Sequence, residues 1–122
     1  MREKYRDRVS LFVAEARRFM GRPYDPHYRF DDDLIYCSEL VYKAFQKATS
    51  EQMGEVKTLE ELNWKPFVPV ILSIEGGVPM KREMITPRDL ANAGQLELVY
   101  EGMKKLQPPA GASSARRGAA QP

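Results

Sequence analysis

The chain has 122 residues, 43% of them hydrophobic and 30% charged, with a formal net charge of +2. That length allows one domain with a modest core, and no apolar run approaches the length that spans a bilayer, so no transmembrane segment is expected. The 19 basic residues outnumber the 17 acidic ones only through Arg116 and Arg117, and without that pair the charges balance, which argues against a broad nucleic-acid footprint and leaves nucleic acid off the list of expected partners.

The first residues, Met1 to Arg8, carry charges of both signs where an export signal would need an uninterrupted apolar stretch. From Tyr5 onward, Val9, Phe12, Val13, Ala16, Phe19 and Met20 recur at helical spacing, with Arg8, Glu15, Arg17 and Arg18 on the other side. This predicts an amphipathic helix that ends at Gly21, a left-handed cap, with Pro23 blocking its continuation. Residues 22 to 33 hold two prolines, four aspartates and several aromatics, which predicts an ordered loop.

A second helix is predicted from Cys37 to about Ala48. Leu40, Val41, Ala44, Phe45 and Ala48 form its inward stripe, while Glu39, Lys43, Gln46 and Lys47 are read as largely outside, with Glu39 and Lys43 as an i, i+4 pair. Thr58 and Glu61 form a capping-box signature for a short helical turn carrying Leu59 and Leu62. Phe67 to Ile74 is rich in β-branched residues and reads as a strand, with Pro69 placing it at a sheet edge. Thr86-Pro87-Arg88-Asp89 opens a short helix through Leu90, and Leu96 to Tyr100 reads as a last strand. Residues 107–122 contain three prolines and no aliphatic side chain larger than alanine, so a disordered tail is expected there, with the folded domain confined to residues 1–106.

One cysteine and one histidine provide neither an internal disulfide nor zinc-ligand spacing, and no cofactor or metal is expected. Cys37 falls in the first turn of the second helix, where unpaired N–H groups and the helix dipole stabilise a thiolate and can also hold an oxyanion. Asp31, Asp32 and Asp33 would oppose this if their carboxylates pointed inward, but they are read as facing water. On pattern alone, a lone cysteine before an apolar helix is a small buried hydrophobe more often than a nucleophile.

The segment Tyr36-Cys37-Ser38-Glu39-Leu40-Val41 changes that balance, because it resembles the nucleophile motif of the permuted NlpC/P60 papain-like hydrolases of the YiiX/YebB type. Gly21 to Pro26 followed by Phe30 to Asp33 resembles that family's loop before the nucleophile. Ile85 to Leu90 resembles its late helix, so the likeness covers roughly residues 5 to 100. The resemblance implies an α+β, papain-like half-domain with a cysteine-bearing helix packed on a small antiparallel sheet. It also implies Cys37 as nucleophile, with its own amide as an oxyanion donor, in hydrolysis of an amide or ester carbonyl through an acyl-cysteine. Peptides, peptidoglycan-type peptides and acyl-amides are the implied substrates.

The family places its general-base histidine on strands before the cysteine helix, and residues 1–36 hold only one helix and one loop. The resemblance therefore implies a carboxy-terminal half that needs a missing amino-terminal half or a partner chain, and that leaves apolar surface uncovered. His27 lies ten residues before Cys37 and is read as a half-exposed loop residue rather than the base. Tyr24, Tyr28, Phe30 and Tyr36 are read first as sealing the core edge and second as lining a substrate groove. Two rival functions stand beside the hydrolase: a non-catalytic remnant or interaction module, and an accessory protein acting through its tail.

Overall fold

The computed structural model describes residues 1–101, so the expected tail lies outside the described residues. Four α-helices are described: α1 (Val9–Arg17), α2 (Cys37–Thr49), α3 (Val68–Glu75) and α4 (Pro87–Ala91), with two strands, β1 (Lys57–Thr58) and β2 (Glu83–Met84). The strands pair antiparallel, Lys57 opposite Met84 and Thr58 opposite Glu83. The architecture is α+β, as expected, but the sheet is minimal.

The first predicted helix divides. A 3-10 stretch over Glu3–Arg8 carries Tyr5 into the core, and the α-helix starts only at Val9. Phe12 and Phe19 face inward while Val9, Val13 and Met20 stay exposed, so the apolar stripe is wider than the surface available to cover it. Gly21 adopts the expected left-handed conformation at φ +84°, but it does not cap the helix, which ends at Arg17 and is followed by turns over residues 18–21.

Helix α2 is the central element. It packs along α1 and against α4, and its buried side chains are Ser38, Glu39, Tyr42, Ala44, Phe45 and Ala48, with Leu40 and Val41 only partly buried. Tyr5, Tyr36, Tyr42, Phe45, Met53, Ile85, Leu90 and Ala93 form the core around it. Glu39 corrects the expectation that it lies outside, because it is fully buried. As the third residue of the helix it reaches back to the Tyr36 N–H at 3.4 Å, and the Lys43 ammonium lies over it at 2.6 Å. Burial pushes the Glu39 carboxyl above its usual range, with Lys43 acting against that shift.

Two expected strands are absent. Val68–Glu75 is helical: Lys65–Phe67 forms a lead-in turn, Pro69 sits in the first helical turn where no N–H is required, and Gly76 closes the helix at φ +71°. The β-branched run that reads as an edge strand is thus a short helix whose Val70, Leu72 and Ile74 remain exposed. Residues 96–100 form no strand. Leu98, Val99 and Tyr100 are 79%, 89% and 70% exposed, and β-propensity without a neighbouring strand to pair with does not make a ladder. The short helical elements with capping boxes at Thr58/Glu61 and Thr86/Asp89 both form as read.

Candidate active site

Cys37 is the first residue of α2 and is solvent-exposed, which removes the reading of a small buried hydrophobe. Its position follows from its two neighbours. Tyr36, 1% exposed, is the extended N-cap residue, and its hydroxyl oxygen accepts the Ile85 N–H at 3.1 Å. Ser38, also buried, donates its hydroxyl to the Ile85 carbonyl at 2.7 Å. Both polar groups of the Ile85 main chain are therefore satisfied by the residues flanking the cysteine. With Tyr36 and Ser38 drawn inward onto one residue, the side chain between them turns outward.

The preceding loop is pinned at its base and along its length. The Ile35 N–H donates to the Pro23 carbonyl at 3.0 Å and the Asp25 N–H to the Ile35 carbonyl at 3.2 Å, so residues 23–25 run beside 35. Asp25 is fully buried and accepts the N–H groups of His27 at 2.8 Å and Arg29 at 2.6 Å. This is an Asx turn that the Asp-Pro pair at 25 and 26 signals in the sequence. Of the three aspartates, Asp32 and Asp33 are exposed and Asp31 is half-buried. Asp31 accepts the N–H groups of Asp33 and Leu34, and Asp32 faces solvent beside Lys43 at 2.9 Å, which holds its carboxyl below the usual range.

The aromatic cluster divides between both readings. Tyr36 stacks edge-on with Phe30 and Tyr28, and Phe30 with Tyr42, which seals the core. Tyr24 and Tyr28 are 56% and 41% exposed and line the surface, their hydroxyls 3.2 Å apart. That hydrogen bond, with smaller contributions from burial, Tyr28 and the neighbouring Cys37, pushes the Tyr24 hydroxyl up to about 12. The Tyr24 hydroxyl is the donor in that bond, so its proton is engaged by Tyr28. Sequence reasoning did not single out Tyr24, because nothing local distinguishes it from the three other rings.

His27 lies apart from this arrangement. Its Nδ1 is 2.8 Å from a Glu75 carboxylate oxygen, and Arg82 donates to the His27 carbonyl at 2.9 Å and pairs with Glu75. The Arg82 guanidinium is the main cause of a Glu75 carboxyl held below its usual range. No hydrogen bond joins His27 to Cys37 among the described residues.

The family model described as permuted papain-like amidase enzyme, YaeF/YiiX, C92 family, matches residues 1–100. The uncharacterized protein YiiX of Escherichia coli K12 is 34% identical over 96 residues, covering 76% of this chain and 48% of the relative. A crystal structure titled metalloprotein yiiX, from Escherichia coli O157:H7, superposes with a TM-score of 0.70 at 30% identity, covering 78% of this chain and 54% of the other. This chain therefore spans about half the length of the relatives it matches. With the cysteine-bearing helix, its pinned loop and the α+β frame in place, the chain belongs to the permuted papain-like amidase family of the YaeF/YiiX type.

Proposed function

We propose that Cys37 is the nucleophile of a thiol hydrolase that acts on an amide or ester carbonyl. The observation that carries this reading is the outward, solvent-exposed placement of Cys37 at the first position of α2, with both flanking residues anchored to Ile85. The thiolate Sγ adds to the carbonyl carbon, and the carbonyl π electrons move to oxygen. The Cys37 N–H, which opens the helix and has no intrahelical acceptor, is the donor this segment offers to that oxyanion. Collapse expels the amine or alcohol, which takes up a proton, and leaves an acyl-cysteine thioester that water cleaves to acid and free thiol.

The base that takes the thiol proton belongs outside the described residues, on a further segment or a partner chain. His27 is committed to Glu75, and a general base must reach its proton directly or through one water. The solved relative is titled a metalloprotein, but among the described residues no group of three or more His, Cys, Asp or Glu side chains fits a metal. The described residues therefore offer no ligand set for one. Peptide-type and acyl-amide substrates fit the family description.

The test is intact-mass spectrometry after incubation with activated acyl esters and acyl-amides, for this chain alone and mixed with the unmatched part of the Escherichia coli relative. The reading expects an acyl adduct confined to Cys37, faster in the mixture and absent in Cys37→Ser. No adduct under either condition would leave the chain a non-catalytic interaction module. The exposed apolar side chains on α1 and α3 favour that second reading over an accessory role through the tail.

A further inference from the structure

The stretch Leu96 to Tyr100 has the composition of a strand but no strand beside it, and yet it is fixed where it begins. Leu96 is partly buried against the core, and its N–H donates to the Ala93 carbonyl at 3.1 Å. The turn before it is held to the start of the chain. The Arg2 N–H donates to the Gln95 carbonyl at 2.9 Å, Arg2 Nε donates to the Gly94 carbonyl at 2.7 Å, and the same guanidinium lies 4.0 Å from Glu97. Beyond that anchor, the main-chain groups of residues 97–100 make no hydrogen bond among the described residues, and Leu98, Val99 and Tyr100 are exposed. The two described strands, β1 and β2, already pair with each other. An exposed apolar run with unpaired N–H and carbonyl groups is a template for a strand from elsewhere, and pairing satisfies the donors, the acceptors and the apolar surface together.

The extent of the family likeness points to the occupant. The family model matches residues 1–100 and so includes this segment, while the chain covers 48% of the YiiX relative and 54% of the solved one. We infer that residues 97–100 dock by β-pairing onto a strand of the other half of a YaeF/YiiX-type fold, the half that this chain does not match. Side chains alternate along a strand, so Leu98 and Tyr100 share the face on which Leu96 meets the core, and the partner strand carries apolar side chains on that face. The docking extends the reading in which the general base lies outside the described residues, but it needs no thiol.

The experiment coexpresses the full chain with the unmatched half of the Escherichia coli relative and follows the pair by native mass spectrometry and amide hydrogen exchange. The expected result is a complex of one copy of each, in which alternate amides among residues 97–100 exchange slowly, whereas in the chain alone all of them exchange fast. Leu98→Pro and Val99→Pro each remove one N–H. Because successive N–H groups point to opposite edges of a strand, at least one of the two variants weakens the complex by about tenfold or more, and Val99→Thr keeps it. Both positions are exposed, so the fold of the chain itself, read by circular dichroism, is retained. Cys37→Ser forms the same complex, which separates failed docking from failed hydrolysis. Absence of a complex overturns the inference, as does a complex in which residues 97–100 stay unprotected or in which both proline variants bind like the parent. Protection that appears in the chain alone and rises with its concentration would assign the strand to a second copy and overturn the inference as well.

Discussion

Replacing Tyr36 with phenylalanine tests the anchoring of the cysteine most directly. The substitution keeps the ring and its edge-on contacts with Tyr28 and Phe30, so the packing contribution is preserved. What disappears is one hydroxyl that accepts the Ile85 N–H at 3.1 Å. Ile85 is 1% exposed, so its N–H is left without a partner and without water. A buried donor stranded in this way costs about 1–3 kcal/mol, and in a domain of this size each kcal/mol lowers Tm by about 4–8 °C. Thermal melts followed by circular dichroism, with urea titration as a second measure, read the loss. Ser38→Ala strands the Ile85 carbonyl by the same logic. Because both bonds end on one residue, the double variant should depart from additivity by at least about 0.5 kcal/mol. Iodoacetamide labelling then asks whether loosening the anchor alters the presentation of the thiol: the labelling rate of Cys37 should change in the double variant at temperatures where it remains folded. A loss below about 0.5 kcal/mol in Tyr36→Phe, together with strict additivity, would refute the view that Ile85 holds this segment.

Three further outcomes are expected. Cys37→Ser should leave stability within about 0.5 kcal/mol of the parent in urea titration, because the exposed side chain contributes little packing. Gly54→Ala should cost about 1–3 kcal/mol: Gly54 has φ +79°, and an added Cβ would lie 3.0 Å from the Asp89 carbonyl oxygen and 3.2 Å from the Ile85 side chain. For Asp89, burial raises the carboxyl, but the hydrogen bonds from Thr86 and Lys57 outweigh it and leave the folded group below its ordinary 3.8. Its contribution is therefore present above that value and is lost as pH falls through the depressed folded pKa. Asp89→Asn should lower stability at neutral pH and flatten the acid limb of a stability–pH curve measured by urea titration.

The helix bearing Cys37 was legible because its apolar spacing is regular and its motif is local. The face it buries was less so. A Glu–Lys pair at i, i+4 normally marks a solvated surface, but Glu39 is drawn inward as the third helical residue and Lys43 closes over it, held also by the Asp31 carbonyl at 2.6 Å. Composition alone does not identify helix α3, because Val, Ile and a proline describe an edge strand as well as they describe a helix start. The distinguishing signal was the placement of Pro66 and Pro69 ahead of a left-handed glycine at 76. The stretch 96–100 has strand composition, yet a strand exists only where another lies beside it. The site itself was half legible: the motif pointed to Cys37, but its anchor joins residues 47 and 49 positions apart, a relation that no window of sequence contains.

The anchor ends on main-chain atoms, and that shapes how this protein can diverge. Since Tyr36 and Ser38 bond to the N–H and carbonyl of Ile85, the identity of the side chain at position 85 does not enter either bond. Among replacements there, only proline deletes a bonding group outright, by removing the N–H. Any other residue is constrained by the space it must fill in the core and not by the orientation of the thiol. Lineages can therefore exchange one aliphatic residue for another at 85, repacking the interior around it, while the register of the cysteine is inherited unchanged. The same freedom is not available at 36 and 38, where the hydroxyls themselves are the fastening.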